Sequence, residues 1–166
     1  MPMADEIKLF DYYYVVIEGS QTPGILETLS KSGVSLVAFS EFPHSPGKSQ
    51  LDLITEDAEA LAKATRDMGL RLSEKKSGFL VRGENQPSAM AAVLTRLADA
   101  HIPVTAIQAI SAGGGRFGAL IWVKQTDVPA AAATLGASAY GRNPPYDVVD
   151  ESSEESFPAS DAPAWR

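Results

Sequence analysis

The chain contains no cysteine, which excludes disulfides, thiolate metal sites and a cysteine nucleophile. Histidine is nearly as scarce. His44 and His101 are the only two, one in a turn-rich loop and one at a helix end, and no Asp/Glu spacing beside either suggests a metal ligand. Basic residues are outnumbered, with 14 Lys and Arg against 21 Asp and Glu for a net charge of −7, so a nucleic-acid backbone or an anionic membrane finds nothing to attract it. The start Met1-Pro-Met-Ala-Asp-Glu lacks a basic stretch followed by an apolar run, and the expectation is a soluble cytoplasmic protein.

What the chain does have is an internal echo. Tyr14-Val-Val-Ile-Glu-Gly19-Ser-Gln-Thr-Pro23 returns as Gly78-Phe-Leu-Val-Arg-Gly83-Glu-Asn-Gln-Pro87, each followed by a helix-like segment. Gly19/Gly83 and Pro23/Pro87 lie 64 positions apart, whereas Leu29/Leu97 and Val34/Ile102 lie 68 apart. A four-residue insertion between these markers adds about one helical turn and returns the apolar stripe to the same face. The 166 residues, 45% of them hydrophobic, suit two small units.

Each unit reads as βαββαβ. The β-branched and aromatic run Tyr12 to Glu18 predicts a strand covered on both faces, Ile25, Leu26 and Leu29 recur at helical spacing, and Ser32-Gly33 stops that helix. Val34 to Glu41 and Gln50 to Thr55 predict a hairpin joined by the loop Phe42 to Gly47. Asp57 caps a second helix ended by Gly69, and Leu70 to Lys75 reads as an amphipathic strand. The second unit repeats the order with a strand at Phe79 to Arg82, a helix carrying Met90, Val93, Leu94 and Leu97, strands Val104 to Ile110 and Ala119 to Lys124 around a glycine-rich turn, and a helix from Asp127 to Leu135 ended by Gly136. Tyr146 to Val149, after two prolines, is an edge strand or none. The expected fold class is α+β, two ferredoxin-like repeats with antiparallel sheets and both helices on one face. The domains are residues 8–76, residues 77–149, and an acidic tail at 150–166 that is expected to be disordered and serves as a solubilising end or an interaction arm. Of the alternating sets Tyr12/Tyr14/Val16 and Tyr13/Val15/Ile17, the one turned from the helices must pack on the other repeat or on a second chain, which predicts a homodimer or larger assembly.

The strand ending at Gly19, then Gln21-Thr22-Pro23-Gly24-Ile25-Leu26, a short helix and Gly33-Val34-Ser35-Leu36 resemble the ACT domain. Two copies would cover about residues 10 to 137. The resemblance implies a small ferredoxin-like module that binds an amino acid or related small metabolite and regulates metabolic enzymes. The family's loop carries Asp or Asn three residues before a glycine. Here the first repeat has Gly24 with Gln21, and the second has Asn85 with Ser88 at the glycine position. By resemblance the ligand loops are Ser20, Gln21, Thr22, Pro23, Gly24 and Ile25 in one repeat and Asn85, Gln86 and Ser88 in the other. The facing wall, from another unit, would be Val37, Ala38 and Phe39, or Thr105, Ala106 and Ile107. Physically, a helix start near Gly24 exposes N–H groups to a carboxylate, while a side-chain carbonyl of Gln21 or Asn85 can accept from an ammonium. The competing reading is that Pro-Gly after a polar pair only punctuates a strand-to-helix turn.

No catalytic apparatus is visible. No Ser–His–Asp set can be assembled, no metal or cofactor site is expected, and Gly113-Gly-Gly-Arg116-Phe-Gly118 joins two strands without the Gly-Lys-Ser/Thr ending of a phosphate loop. Trp122, in Leu120-Ile121-Trp122-Val123, reads as core or interface. The expectation is a ligand-binding regulatory protein, not an enzyme, acting through self-association or a metabolic enzyme partner. A structural docking module without ligand is the alternative and a small enzyme on the same fold the third.

Overall fold

A computed structural model describes residues 4–84 and 86–139. The fold is α+β, and the chain divides into two compact units. Among the described residues the first unit is Asp11–Lys76, and the second joins residues 4–10 to residues 77–139. The expected boundary at residue 8 is therefore corrected. Strand β1 runs the full length Ala4–Glu18, with residues up to Phe10 in the second unit and those from Asp11 in the first. Its early half was not legible as a strand because Asp5, Glu6 and Lys8 dilute the β-formers. Ile7 and Leu9 alternate nonetheless, and both pack against the second unit's core.

In the first unit β1 is followed by helix α1 (Thr22–Lys31), the hairpin β2 (Leu36–Ser45) and β3 (Lys48–Thr55), and helix α2 (Ala58–Asp67), with strand order β2-β3-β1. Val15, Ile17, Leu51 and Leu53 on one face of the strands meet Ile25 and Leu29 of α1 and Leu61 and Ala64 of α2 in one core. Tyr12, Tyr14 and Val16 are the set turned away from the helices, since they pair with Ile54, Asp52 and Gln50. As expected, Asp57 caps α2, its Oδ1 accepting from Ala60 N–H at 3.1 Å, a bond worth about 1 kcal/mol.

Two expectations in this unit are corrected. Residues 70–75 form no strand. Ser73 N–H donates to Tyr14 O at 2.9 Å, but Tyr14 N–H donates to the Ser73 hydroxyl at 3.0 Å, so a side chain takes the place of the carbonyl a ladder would need. The loop expected over Phe42 to Gly47 is mostly strand, β2 continuing to Ser45 and pairing Pro43 with Ser49. Proline is tolerated there because β2 is an edge strand, whose outward side requires no N–H.

The second unit contains β4 (Lys76–Glu84), α3 (Gln86–Asp99), the hairpin β5 (Val104–Gly113) and β6 (Arg116–Val123), α4 (Val128–Leu135) and a two-residue strand β7 (Ser138–Ala139). Its strand order is β5-β6-β4-β1, and β7 pairs with β1 in parallel, Lys8 opposite Ser138. Phe79, Val81, Ile121 and Val123 face Val93, Leu97, Val128 and Leu135 in the core. Residues 140–149, including the uncertain strand at Tyr146–Val149, and the tail 150–166 lie outside the described residues.

The repeat is visible in the hydrogen-bond register. Adding 68 to every residue of the β2–β3 ladder reproduces the β5–β6 ladder, including the irregularities between Leu36 and Ala38 and between Pro43 and Ser45, which recur at Val104/Ala106 and Ser111/Gly113. Helix α1 has 10 residues and α3 has 14, the additional turn the spacing predicts.

The same offset places His101 where the first unit has Gly33. Both are left-handed, at φ 62° and 80°, and both end a helix by the same bonds, Ile102 N–H to Leu97 O and Val34 N–H to Leu29 O. A side chain at left-handed φ costs about 1 kcal/mol. His101→Gly should accordingly raise the melting midpoint by about 3 °C, read by far-UV circular dichroism; an unchanged or lower midpoint would show that the imidazole compensates its backbone.

Candidate functional site

The loop after β1 is shaped by its own chain. Gly19–Gln21 form a short 3-10 turn that leads directly into α1, with Pro23 in the first helical turn, where its missing N–H costs nothing. Gln21 Oε1 accepts from Glu18 N–H at 2.9 Å, which leaves this carbonyl one further lone pair. Ser20, Gln21, Pro23 and Gly24 are exposed, while Ile25 belongs to the core between α1 and the sheet.

Two local features have no internal explanation. Thr22 is only 8% exposed, and its Oγ1 is buried with no hydrogen-bond partner, an arrangement that ordinarily costs about 1–3 kcal/mol. Gly24 sits in helical conformation with open space where a Cβ would stand. Neither packing nor backbone requires glycine there, and alanine would favour the helix by about 1 kcal/mol.

A residue set that the sequence reading missed surrounds the loop. A Cβ built on Gly19 would lie 3.4 Å from Ser49 Oγ and 3.8 Å from Glu41 Oε2, and Lys48 Nζ pairs with Glu18 Oε2 at 3.4 Å. Glu41 reaches this end because β2 extends past it, and it lies on the helix side of the sheet opposite Leu51. The signal available in the sequence was the alternation Phe39, Glu41, Pro43, obscured by reading Phe42 onward as loop.

The expected wall is elsewhere in the same unit. Phe39 pairs with Leu53, which pairs with Tyr13, whereas the loop follows Glu18. The five-residue step from Tyr13 to Glu18 spans about 17 Å along the strand. Val37 and Ala38 are half-buried and Phe39 is exposed, at the opposite end from Gln21. The second unit has the same layout: Ile107 pairs with Ile121 and that with Phe79, while Glu84 pairs with Arg116 beside the turn. No unit brings its own loop and wall together. Thr105 is exposed, its hydroxyl donating to Trp122 O at 3.1 Å, and Ala106 is half-buried. Ser88 is exposed near the start of α3, and Asn85 and the side chain of Gln86 lie outside what is described.

Among the described residues no group of three or more His, Cys, Asp or Glu is placed to hold a metal ion. No described helix is long and apolar enough to cross a membrane.

No protein-family model and no curated protein matches the chain. Solved structures do. Protein BT0572 from Bacteroides thetaiotaomicron is similar over 78% of this chain and 88% of its own length, with a TM-score of 0.66 and 17% identity. The ligand-free regulatory subunit of aspartate kinase from Thermus thermophilus is similar over 80% of this chain and 96% of its own, with a TM-score of 0.51 and 12% identity. Aspartate kinase from Synechocystis is similar over 87% of this chain but 29% of its own length, with a TM-score of 0.50 and 12% identity. At such identities the likeness is one of fold, and the fold is the ACT-like arrangement of antiparallel sheets with helices on one face.

Proposed function

We propose that this chain is a tandem ACT protein that binds an amino acid or a related small metabolite and transmits that binding to a metabolic enzyme partner or to its own assembly. It catalyses no reaction on this reading. The observation that carries it is the pairing of Thr22, whose buried hydroxyl lacks a partner, with Gly24, a helical glycine that opens on empty space. A ligand carboxylate at the start of α1 would lie at the positive end of the helix, where Pro23 has no N–H and that of Thr22 already donates to Gly19 O, so the attraction rests on the helix dipole. Glu41, beside Gly19, is the acceptor for an ammonium, and the spare lone pair of Gln21 is a second acceptor on the same loop. A fold shared with a regulatory subunit of aspartate kinase supports a regulatory role. The wall over the ligand would come from β2 or β5 of another unit, because each unit's own wall is at the far end of its sheet.

The test is a thermal-shift screen against the standard amino acids and common nucleotides, followed by titration calorimetry with any compound that responds. A ligand at about 100 times its dissociation constant adds about 2.7 kcal/mol and moves the midpoint by several degrees. Gly24→Val should abolish the response while keeping the helical signal, and Glu41→Gln should weaken binding of a zwitterion about tenfold or more, from the lost charged hydrogen bond. Gly24→Ala, without ligand, should raise stability by about 1 kcal/mol. A response that survives both Gly24→Val and Glu41→Gln would remove this loop from the site.

A second reading has one observation in its favour. Gln21 already satisfies Glu18 N–H, as a loop with only a structural task would arrange. On that reading the chain is a docking module without ligand, and no compound shifts the midpoint.

A further inference from the structure

The hairpins β2–β3 and β5–β6 match at an offset of 68, but the strands ahead of the first helix of each unit, β1 and β4, match at 66. Glu18, opposite Lys48, answers to Glu84, opposite Arg116, and the ion pair recurs, at 3.4 Å in the first unit and 3.9 Å in the second. The echoed glycines are therefore not equivalent in space. Gly19 follows the end of β1, whereas Gly83 lies within β4 at the place of Ile17. Helices α1 and α3 begin 64 positions apart, at Thr22 and Gln86, so the connection ahead of the helix holds residues 19–21 in the first unit and residue 85 alone in the second.

What faces that connection differs as well. Ile17 lies opposite Ser49 in one ladder and Gly83 opposite Phe117 in the other, a large residue across from a small one each time, but on exchanged strands. Ile17 and Phe117 are both buried in the cores of their units. Close packing tolerates such an exchange because the summed volume changes little. Its consequence lies on the hairpin side. With the bulk on β1, the small Ser49 leaves a hydroxyl 3.4 Å, and Glu41 a carboxylate oxygen 3.8 Å, from the point where a Cβ of Gly19 would stand. With the bulk on β6, the ring of Phe117 takes the place of that hydroxyl, and Ala109 that of Glu41.

We infer that the chain holds one small molecule, in the first unit alone, and that Phe117 closes the corresponding place in the second. This rests on the binding proposed above and adds to it the number of sites and the group that selects between them, a primary ammonium. The first unit offers an ammonium two acceptors, the Glu41 carboxylate and the Ser49 hydroxyl. The second offers a methyl group and a ring already committed to its core. The buried Thr22 hydroxyl without a partner stands at the helix start of the same, first unit.

The experiment is a 15N–1H correlation spectrum of the full chain, titrated separately with each of the twenty standard L-amino acids. Shifts should appear at amides among residues 19–25 and at Glu41 and Ser49, and be absent from residues 83–88 and Phe117. Shifts at both sets, or at the second alone, would overturn the inference while leaving the proposed binding in place; no shift with any of the twenty would overturn both. Gly19→Ala puts a methyl group between the acceptors at ordinary contact distances. Its melting midpoint should stay within about 2 °C of the parent, and the amino acid that shifts the parent should bind about tenfold or more weakly. Ile17→Gly/Ser49→Phe copies the second unit's arrangement into the first and should remove the shifts. Parent affinity in Gly19→Ala or in the folded double variant would overturn the inference, and the parent spectra with Gly19→Ala decide it even should the double variant fail to fold.

Discussion

Gly78→Ala should destabilise the second unit by about 3 kcal/mol in urea unfolding, although alanine ordinarily suits a strand better than glycine. Gly78 has an ordinary backbone conformation, so the effect is one of space. A Cβ there would lie 2.9 Å from Phe10 Cζ and 3.3 Å from Ile121 O. Phe10 is almost completely buried, and its ring uses the gap the missing side chain leaves in β4. Phe10→Ala should by itself cost about 4 kcal/mol through lost burial and the cavity it creates. With the ring gone, the alanine at 78 loses its 2.9 Å contact and keeps the carbonyl of Ile121 at 3.3 Å, so the double variant should lose about 1.5 kcal/mol less than the sum of the singles. Strict additivity would show that the ring and the glycine do not constrain each other.

Gln125→Leu should have an effect of similar size. The side-chain amide of Gln125 lies along the backbone of Ser77, accepting from its N–H at 2.9 Å through Oε1 and donating to its carbonyl at 2.9 Å through Nε2. Both residues are buried. Leucine keeps the volume but takes both partners from the backbone, and at 1–3 kcal/mol for a buried unsatisfied group the expected loss is about 3 kcal/mol. Gln125→Glu separates the two bonds. A protonated carboxyl can still accept and donate, whereas a carboxylate can only accept and would be charged in a buried position, so burial raises its folded-state pKa above the unfolded value. Its stability relative to the parent should be greatest below the unfolded carboxylate pKa and fall as pH rises through the folded one. A pH-independent difference would show that the donor half contributes nothing.

How much of this could be read from the amino acids varies with the range of the interaction. The step from an offset of 64 to one of 68 sufficed to predict a second-repeat helix one turn longer, and the observed lengths of 10 and 14 residues follow from it. Gly33, Gly69 and Gly136 end helices at positive φ, and Asp57 caps one, because each depends on residues within four positions. Longer-range features were less legible. Nothing local distinguishes residues 4–10 as a strand, since what pairs with them lies some seventy or more residues away in β4 and beyond a hundred in β7. Residues 70–75 alternate like a strand, but one hydroxyl, that of Ser73, diverts the bond that would have started the ladder. In the candidate site, Gly24 and Thr22 could be singled out from the turn chemistry. Glu41 could not, because its nearness to Gly19 depends on how far β2 runs.

The divided first strand also sets how this protein can be made and taken apart. The unit formed by residues 77–139 is completed by residues 4–10, which are synthesised before the whole of the first unit. Those residues must wait through the synthesis of the whole first unit before their neighbours in β4 and β7 exist. Such contacts have high sequence separation and close slowly. A fragment cut at residue 77 would therefore yield a second unit lacking one of its strands, and dissection into independent halves would succeed only if the segment 4–10 were supplied again, as a fused strand or a separate peptide.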